Sequence, residues 1–353
     1  MSWKPSADLR ASDLEFSRPA VERILGRPGL LSESLRKITG LSQQGGAGSV
    51  IPFGKRQEIF EVGGVKIGGQ LGELPTVLIG SIFHHGHRVI KNEASGEFDR
   101  VRAEDLVRSQ DELSCETGNP CMVDVVGRTS ETLIKYIDFV AGITEAPLLI
   151  NGPSAEVRLS ASRHAISVGL KDRVVYNSIN FTVTANEVNA VRELGLKTAI
   201  VQALDPHNPL PRSMVGILRG EQGLIEVARS AGIAEILILA PVIDIPHVGC
   251  SADGIRLIKE EFGLPTGSAP VGVLSEWARA REFGGDTLRL CRPVPAVICQ
   301  VMGANFIIYG SLAKAREIFP SCALADAMIA YDSRTKRIKI SKEHSLNRIF
   351  KPS

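Results

Sequence analysis

Short apolar runs alternate with amphipathic, helix-like segments along most of this chain, and this alternation restricts the fold more than any other feature. The helix-like segments carry apolar residues at three- and four-residue intervals, and several end in glycine, which favours the position after a helix. Strands that are connected through helices pair in parallel by right-handed crossovers. Eight such strands predict an α/β fold, a closed (β/α)8 TIM barrel rather than an open doubly wound sheet. We predict the strands at 76–81, 121–126, 147–151, 173–178, 198–204, 235–240, 264–268 and 305–310, and helices that include 99–118, 130–142, 154–169, 224–232 and 252–263.

A hairpin signal precedes the first of these strands. The segment RQEIFEVGGVKIGG contains two short apolar-alternating runs on either side of Gly63 and Gly64. Paired glycines supply the positive φ angles that a two-residue hairpin turn requires. We therefore predict an N-terminal β-hairpin over 57–69, and we expect it to close the bottom of the barrel.

The length of the chain leaves room for segments outside the barrel. Its 353 residues and 38.0 kDa suit one (β/α)8 barrel with additions. We predict an N-terminal arm over 1–53, the barrel over 54–335 and a C-terminal tail over 336–353. The arm ends in SQQGGAGSVIPFG, which has little to bury. Its composition agrees both with a loosely packed extension and with an arm that docks on a partner.

Composition and charge limit the possible partners. Hydrophobic residues make up 44% and charged residues 23% of the chain, which is typical of a globular protein and argues against disorder. The net charge of +2 provides no global field for polyanions, and we expect no nucleic acid partner. No signal peptide or membrane helix is visible, so we expect no membrane contact and a cytoplasmic location. We interpret the six cysteines, which form no C-x-x-C pair, as reduced structural thiols.

Polar residues at the C-terminal ends of the predicted strands are candidate functional residues, because chemistry in (β/α)8 barrels takes place at that end. Asn and Asp side chains offer the donors and acceptors that suit a flat heterocycle with amide and amine edges. The alternative for any single residue is that it only caps the barrel core by bonding neighbouring backbone. The candidates are Ser81, His84, His85, His87, Asp124, Asn151, Asn177, Ser178, Asn180, Gln202, Asp205, His207, Asp244, His247 and Ser268.

The HHGH run at 84–87 raises the question of a metal site. A catalytic zinc needs a third protein ligand, and nothing in the sequence fixes one. We therefore predict no metal and interpret the run as a basic loop that faces an anionic ligand or a partner. A P-loop, a G-x-S-x-G motif and a strand-linked G-x-G-x-x-G motif are absent from the sequence, so ATP, serine-hydrolase and dinucleotide functions lack their usual support.

From about Arg56 to Ala330 the chain resembles the H subunit of tetrahydromethanopterin S-methyltransferase and the related bacterial methyltetrahydrofolate:corrinoid methyltransferases. The resemblance implies a (β/α)8 barrel that binds a reduced pterin in its upper mouth. It also implies transfer of the N5-methyl group to a cob(I)alamin on a separate protein, usually by a homodimer. The segments that carry it are QEIFEVGGVKIGGQ, PTVLIGSIF with GH at 86–87, MVDVV, IKYIDFVA, AEVRLSA, VYNSIN, FGLPTGS, QVMGANFIIYG and FP-x4-AL-x-DAMIA.

The implied reaction makes specific demands on the protein. A tertiary N5 amine is a poor leaving group, so transfer needs a proton or a strong hydrogen bond at N5 while the Co(I) nucleophile attacks. The implied cofactors are a tetrahydrofolate-type pterin, as substrate, and cobalamin. A cobalamin-binding module normally shows D-x-H-x-x-G, whereas DPHNPL at 205–210 lacks the glycine. We therefore expect the cobalamin on a partner, a corrinoid carrier protein.

The resemblance also assigns roles to individual residues. Asp124 and Asn177 occupy the positions of an Asp and an Asn that line the family's pterin mouth. Asn151 occupies a position where the family has a carboxylate, and its amide can still accept a hydrogen bond. We also assign to pterin binding Ser178, Asn180, Gln202 and Ser268.

Two further positions of the family's mouth are altered in this chain. The family's Asp at one of them falls on Ala240 or Pro241, and its N5-facing Asn falls on Gly272. Carboxylates at Asp205 and Asp244 follow the neighbouring strands. We predict that one of these two is catalytic, as proton donor or as a clamp on the pterin.

Three functions remain open at this point. The retained residues favour a methyltransferase that moves a methyl group between a tetrahydrofolate- or tetrahydromethanopterin-type pterin and a corrinoid protein. The altered positions favour a catalytically weakened relative that acts as a regulatory or scaffold subunit and binds a ligand or a corrinoid protein. A distinct barrel enzyme with another small substrate is the third, because a fold does not establish a reaction.

Overall fold

A computed structural model describes residues 53–350 of the chain, and positions 1–52 of the predicted N-terminal arm lie outside these residues. Eight parallel strands form a closed barrel, so the predicted TIM barrel is confirmed. Going around the barrel, the strands follow the order β3-β6-β7-β8-β9-β10-β11-β12. The strands are β1 (Ile59–Val62), β2 (Val65–Gly68), β3 (Val77–Ile82), β4 (Ile90–Asn92), β5 (Glu97–Phe98), β6 (Cys121–Val126), β7 (Leu148–Asn151), β8 (Val174–Ile179), β9 (Thr198–Gln202), β10 (Glu235–Ala240), β11 (Thr266–Ser268) and β12 (Phe306–Ser311).

Ten α-helices accompany the strands in this part of the chain. Four of them begin directly after an N-cap whose side chain accepts a backbone N–H of the first turn, namely Asp99, Thr129, Ser154 and Thr184. These caps fix where the chain turns from a strand into a helix at the upper rim. The helices are α1 (Arg100–Thr117), α2 (Ser130–Ala141), α3 (Ala155–Ser167), α4 (Ala185–Leu194), α5 (Pro211–Leu218), α6 (Leu224–Ser230), α7 (Val248–Phe262), α8 (Thr287–Cys291), α9 (Val294–Val301) and α10 (Ala315–Thr335).

Alternation along the barrel strands divides the core into two parts. Outward-facing apolar side chains pack against the helices. Inward-facing ones fill the barrel, and they are Val77, Ile79, Met122, Leu149, Val175, Ile200, Leu237, Phe306 and Ile308. Because side chains alternate with a period of two, the next inward positions on the polar side of the barrel come to the upper mouth. These positions are Ser81, Asp124, Asn151, Asn177 and Gln202.

The predicted hairpin is present as β1 and β2, and it closes the lower end of the barrel. Val62 and Ile67 are both 1% exposed and join the inward-facing cluster. Gly63 and Gly64 form the turn with φ angles of 50° and 82°, which explains the glycine pair. Glu58 N–H donates to the carbonyl oxygen of Gly263 at 2.8 Å, so the hairpin is bonded to the loop that precedes β11.

A buried lysine connects this hairpin to the barrel. Lys259 on α7 is fully buried, and its Nζ donates to Asn305 Oδ1 at 2.6 Å and to the Gly69 carbonyl at 3.1 Å. Burial lowers the pKa of Lys259 to about 7. The lysine thus replaces water as the partner of the backbone that follows β2.

A polar network at the same end holds the C-terminal residues. Asp326 on α10 accepts from Thr76, Asn119 and Gln300, and burial raises the pKa of its carboxyl to about 6. Asn119 Oδ1 accepts in turn from Ser345 Oγ at 2.9 Å. Part of the predicted C-terminal tail is therefore packed on the barrel.

Residues 53–350 contain no helix with the length and apolar character needed to cross a bilayer. Within the same residues, no three His, Cys, Asp or Glu side chains come together in a way that could hold a metal ion.

Candidate functional site

Asp124 lies at the centre of the polar side of the mouth. Its side chain is buried and accepts hydrogen bonds from the three strands nearest to it. Ser81 Oγ on β3 donates to Oδ2 at 2.8 Å, Asn151 Nδ2 on β7 donates to Oδ1 at 3.0 Å, and Asn177 Nδ2 on β8 donates to Oδ1 at 3.1 Å. Four neighbouring strands are thus connected through one carboxylate.

This network orients the two amides. Because Asn151 and Asn177 use Nδ2 toward Asp124, their Oδ1 atoms point away from the carboxylate and have no hydrogen-bond partner within residues 53–350. A carboxylate has about four acceptor sites, and those of Asp124 are taken up by Ser81, by Asn177 and by Asn151, whose Nδ2 also lies 3.3 Å from Oδ2. The mouth therefore offers a ligand the two amide oxygens of Asn151 and Asn177.

Burial is the main influence on the charge of Asp124. Desolvation raises the pKa of its carboxyl, while the hydrogen bonds from Ser81, Asn151 and Asn177 and the nearby His84 oppose this shift. The net pKa is raised. A carboxyl group with a raised pKa in a concave site can take up and release a proton, which is a property of catalytic acids and bases.

The opposite side of the mouth is apolar. Leu239 on β10 lies in register with Gln202 on β9 and faces inward, as does Ala269 after β11. Gln202 is half-buried at the boundary between the polar and the apolar side, and its side chain has no hydrogen-bond partner in the described part of the chain. A flat ring with one polar edge matches this division, because its edge can bond the amides while its face contacts Leu239.

Asp205 and Asp244 lie on the rim rather than in the mouth. Asp205 Oδ1 accepts the backbone N–H of His207 at 2.9 Å, and Asp244 Oδ1 accepts that of His247 at 2.8 Å. His247 Nε2 lies 3.0 Å from the Pro209 carbonyl oxygen and so connects the two loops. Each carboxylate keeps its Oδ2 without a partner in the described residues and can turn toward a ligand above the mouth.

Three other sequence candidates take different positions. The Ser268 hydroxyl is fully buried, donates to the Ala240 carbonyl at 2.9 Å and lies 2.8 Å from Ser251 Oγ on α7. It therefore packs between β11 and α7 and does not face the mouth. Asn180 Oδ1 accepts from both the N–H and the hydroxyl of Thr182, so it shapes the loop after β8. Ser178 is half-buried beside Asn177.

The structure also describes Ala240 and Gly272, two positions at which the resemblance predicts a change from the family's mouth residues. Ala240 is fully buried, and its carbonyl accepts from Ser268 on the outer side of the barrel. The residue of β10 that faces the mouth is Leu239. It could have been identified from the sequence, because it follows the inward-facing Leu237 by two residues. Gly272 is exposed, and a side chain there would meet open space.

The histidines of the loop after β3 differ in their surroundings. His87 is buried, and burial, followed by the influence of His84 and Arg102, lowers the pKa of its imidazole to about 4. Its Nδ1 accepts the Phe83 N–H at 3.2 Å, and its Nε2 lies 3.1 Å from Ser311 Oγ. His84 is half-buried, with a buried Nε2 that has no partner within 53–350. A neutral His87 thus fixes the loop.

A solved structure shares the fold. The dihydropteroate synthase from Thermus thermophilus, solved in complex with 6HMPPP, superimposes with a TM-score of 0.50 at 12% sequence identity. The match covers 77% of this chain and 100% of that chain. At this identity the similarity establishes the barrel fold alone.

Two relatives are similar in sequence over almost their whole length. The H subunit of tetrahydromethanopterin S-methyltransferase from Methanothermobacter marburgensis is 35% identical over 301 residues, which cover 83% of this chain and 97% of that protein. The H subunit of the putative methyltransferase mtx from Methanosarcina acetivorans is 35% identical over 304 residues, which cover 84% of this chain and 98% of that protein. A family model described as the tetrahydromethanopterin S-methyltransferase MtrH subunit matches residues 55–341. This chain therefore belongs to the family of the H subunit of tetrahydromethanopterin S-methyltransferase.

Proposed function

We propose that this chain is a methyltransferase subunit that binds a tetrahydrofolate- or tetrahydromethanopterin-type pterin in its mouth. In this proposal it moves the N5-methyl group between the pterin and a cob(I)alamin on a separate corrinoid protein. The observation that carries the proposal is the Asp124 network, in which one buried carboxylate aligns Ser81, Asn151 and Asn177 from three other strands. The names of the relatives support the same class of reaction.

The mouth residues would bind and orient the pterin. The free Oδ1 atoms of Asn151 and Asn177 can accept from the amine and amide N–H groups on the edge of the ring. Leu239 on the other wall excludes water from the ring face. A dry mouth strengthens each of these hydrogen bonds, which orients N5 toward the opening.

A proton must reach N5 during the transfer, and three carboxyl groups are candidates for supplying it. Asp124 has a raised pKa but lies deep in the mouth. Asp205 and Asp244 lie at the rim on two connected loops, each with one free oxygen. We retain the hypothesis that Asp205 or Asp244 donates the proton or clamps the pterin, because the rim is where N5 and the incoming corrinoid would meet.

The corrinoid would come from a partner. Cobalamin supplies the cobalt nucleophile when the partner's corrinoid faces the mouth. In the 205–210 loop of this chain, Asp205 accepts from His207 N–H and Asn208 Oδ1 accepts from Leu210 N–H, so the loop forms a short turn before α5. These side chains cap their own loop, which agrees with a corrinoid held by another protein.

We also propose a homodimer, formed through the outer face of α9 and α10. This apolar face consists of Val294, Ile298, Val301, Leu324, Met328 and Tyr331, each between 42% and 64% exposed. Helix α9 (VPAVICQV) contains no charged residue. An exposed apolar face on two adjacent helices is typical of an interaction site between proteins. A lasting copy of the same chain suits this face better than a corrinoid protein, which must reach the mouth and leave again.

The apolar half of the mouth supports a second candidate function. Leu239 and Ala269 give β10 and β11 no polar group with which to hold N5. A weakened relative that binds a ligand or a corrinoid protein as a regulatory or scaffold subunit would tolerate this loss. Such a subunit would bind without transferring a methyl group.

Calorimetry and a transfer assay test the proposal. We expect the purified protein to bind 5-methyltetrahydrofolate or 5-methyltetrahydromethanopterin at micromolar concentration, and to methylate cob(I)alamin. Binding without transfer would favour the scaffold function, and no binding of either pterin would refute both uses of the mouth.

Single substitutions at the rim test the proton donor. We expect Asp205→Asn or Asp244→Asn to slow transfer about 100-fold or more, which is the usual contribution of a positioned acid. Asp172→Asn is the matched control, because this exposed aspartate pairs with Lys197 and lies just before β8, at the lower end of the barrel. Unchanged transfer in both rim variants would exclude Asp205 and Asp244 as donors.

A further inference from the structure

A buried ion pair lies behind the two amides of the mouth, between the barrel and its helices. The side chains of Arg158 on α3 and Glu187 on α4 are 7% and 4% exposed, and Arg158 Nη2 lies 2.7 Å from Glu187 Oε1. Burying two charges is costly, and apolar residues of similar volume often stabilise such a position equally well. Stability alone therefore does not explain the pair.

Arg158 holds the end of β7. Its Nη1 donates to the carbonyl of Gly152 at 3.0 Å, and Gly152 directly follows Asn151. On the other side, Gly127 N–H donates to the Asn151 carbonyl at 3.0 Å. A Cβ on Gly152 would lie 2.7 Å from Val157 Cγ1, so this turn is packed closely against α3. The backbone that carries the Asn151 amide is thereby fixed.

Glu187 holds the end of β8 in a similar way. The Tyr176 hydroxyl donates to Glu187 Oε1 at 2.6 Å, and Tyr176 directly precedes Asn177. Burial, together with this hydrogen bond, raises the pKa of Tyr176, so its hydroxyl stays protonated and donates. The Arg158 guanidinium also lies over the Tyr176 ring, 5.3 Å from its centroid. Because side chains alternate along a strand, fixing the outward Tyr176 also fixes the inward Asn177 beside it.

We infer that Arg158 and Glu187 are positioning residues for pterin binding, which fix the spacing of Asn151 and Asn177 from outside the barrel. This inference rests on the proposed function, because it takes the Oδ1 atoms of the two amides as acceptors for the ring edge. The two amides lie in register on adjacent strands. A rigid ring needs its acceptors at one separation, so displacement of either strand end weakens binding. The planar guanidinium of Arg158 can bond Gly152 and Glu187 at once, which sets this separation.

Substitution of Arg158 by Lys tests the role. Lysine keeps the charge but has no planar fork, so it cannot bond Gly152 and Glu187 together in the native geometry. The probe is 5-methyltetrahydrofolate or 5-methyltetrahydromethanopterin, whichever the unaltered protein binds more tightly. We expect Arg158→Lys to weaken its binding in calorimetry by about tenfold. In methyl transfer to cob(I)alamin, KM for the pterin should rise by a similar factor and kcat should stay within about threefold, because the pair acts on binding.

Arg173→Lys is the matched control. Arg173 lies just before β8, at the lower end of the same two strands, and its side chain is 15% exposed. It pairs with Glu145 and donates to the carbonyls of Thr144 and Ala146, which precede β7. Both lysine variants should lower the urea midpoint of unfolding, but Arg173→Lys should leave pterin affinity within about twofold. Equal weakening by the two variants, or native affinity in Arg158→Lys, would overturn the positioning role.

A triple variant keeps the test decisive if Arg158→Lys does not fold. Arg158→Met, Glu187→Leu and Tyr176→Phe together remove the pair and its hydroxyl partner without leaving a buried charge unpaired. We expect this variant to unfold at a urea concentration close to that of the wild type, but to bind the pterin about tenfold more weakly. Native affinity in the triple variant would overturn the inference and leave the proposed function intact. Failure of the unaltered protein to bind either pterin would overturn both.

Discussion

Substitution of Asp124 by Asn separates a functional carboxylate from one that only caps the barrel. The variant side chain has the same shape, and its Oδ1 can accept from Asn151 and Asn177 while its Nδ2 donates to the Ser81 hydroxyl. One bond to each of the three partners can therefore be kept, since a hydroxyl accepts as well as donates, and only the longer contact of Asn151 with Oδ2, at 3.3 Å, is lost. What is removed is the charge.

The effect on stability follows from the direction of the pKa shift. Because burial raises the pKa of Asp124, the folded protein binds this proton more tightly than the unfolded chain does. The stability that this proton contributes is fully present below the unfolded pKa of about 3.9 and is lost as the pH rises through the folded pKa. Asn cannot ionise, so at pH 7.5 we expect Asp124→Asn to equal or exceed the wild type in unfolding free energy, by about 1 kcal/mol. Towards pH 4 the two proteins should converge.

Ligand binding should change in the opposite direction. Asn151 and Asn177 are aligned by hydrogen bonds to a charged group, which contribute about 1.5–3 kcal/mol each. Without that charge the two amides are held less firmly, so we expect pterin binding to weaken by about tenfold. Urea unfolding between pH 4 and 7.5 gives the stability, and calorimetry with 5-methyltetrahydrofolate and 5-methyltetrahydromethanopterin gives the affinity. The opposite result would be an unfolding free energy at pH 7.5 that is more than about 2 kcal/mol below that of the wild type, together with normal pterin binding. It would show that Asp124 only caps the core, and the site as described would be wrong.

Three other predictions concern the fold around the site. Met328→Glu places a charge in the apolar face, so it should convert the dimer to monomers in sedimentation velocity. Val101→Glu, at a position 73% exposed on α1, should leave the dimer intact. Equal behaviour of the two variants would show that this face is not the dimer interface. Asp326, whose pKa is raised to about 6, should make the unfolding free energy fall by roughly 2 kcal/mol between pH 4 and pH 7, and a slope that Asp326→Asn leaves unchanged would contradict this. Ser268→Ala should lower the unfolding free energy by about 1 kcal/mol and leave pterin affinity unaltered, because the Ser268 hydroxyl bonds toward α7. A loss of pterin affinity would show that Ser268 contributes to the mouth after all.

Most of the barrel could be predicted because its signal is local. Each apolar run between polar helices corresponds to one strand, and only the ends differ. The predicted strand at 264–268 begins at Thr266, because Pro265 has no N–H to contribute to a ladder. The strand predicted at 198–204 ends at Gln202, just before the turn that Asp205 caps.

The site was harder to predict because it depends on which way each side chain points. Alternation places Asp124, Asn151, Asn177 and Gln202 inward. The same rule turns Ser268 outward, but its strand spans only Thr266–Ser268, too short to show alternation in the sequence. The approach of one distant segment to another, such as that of Asn177 to Asp124, leaves no local pattern.

The change that the resemblance predicts at position 151 would act through Asp124. With a carboxylate in place of Asn151, two acid groups would lie about 3 Å apart in a buried site, and one of them would have to stay protonated. Asn151 removes that conflict, since its amide donates to Asp124 and still presents an oxygen to a ligand. A change from carboxylate to amide at 151 would therefore remove the proton shared by the pair and keep an acceptor in the mouth. If a proton is still delivered to N5, another group must supply it. Asp205 and Asp244 each have a free carboxylate oxygen, and they lie in the loops that follow β9 and β10, next to the apolar side of the mouth at Leu239.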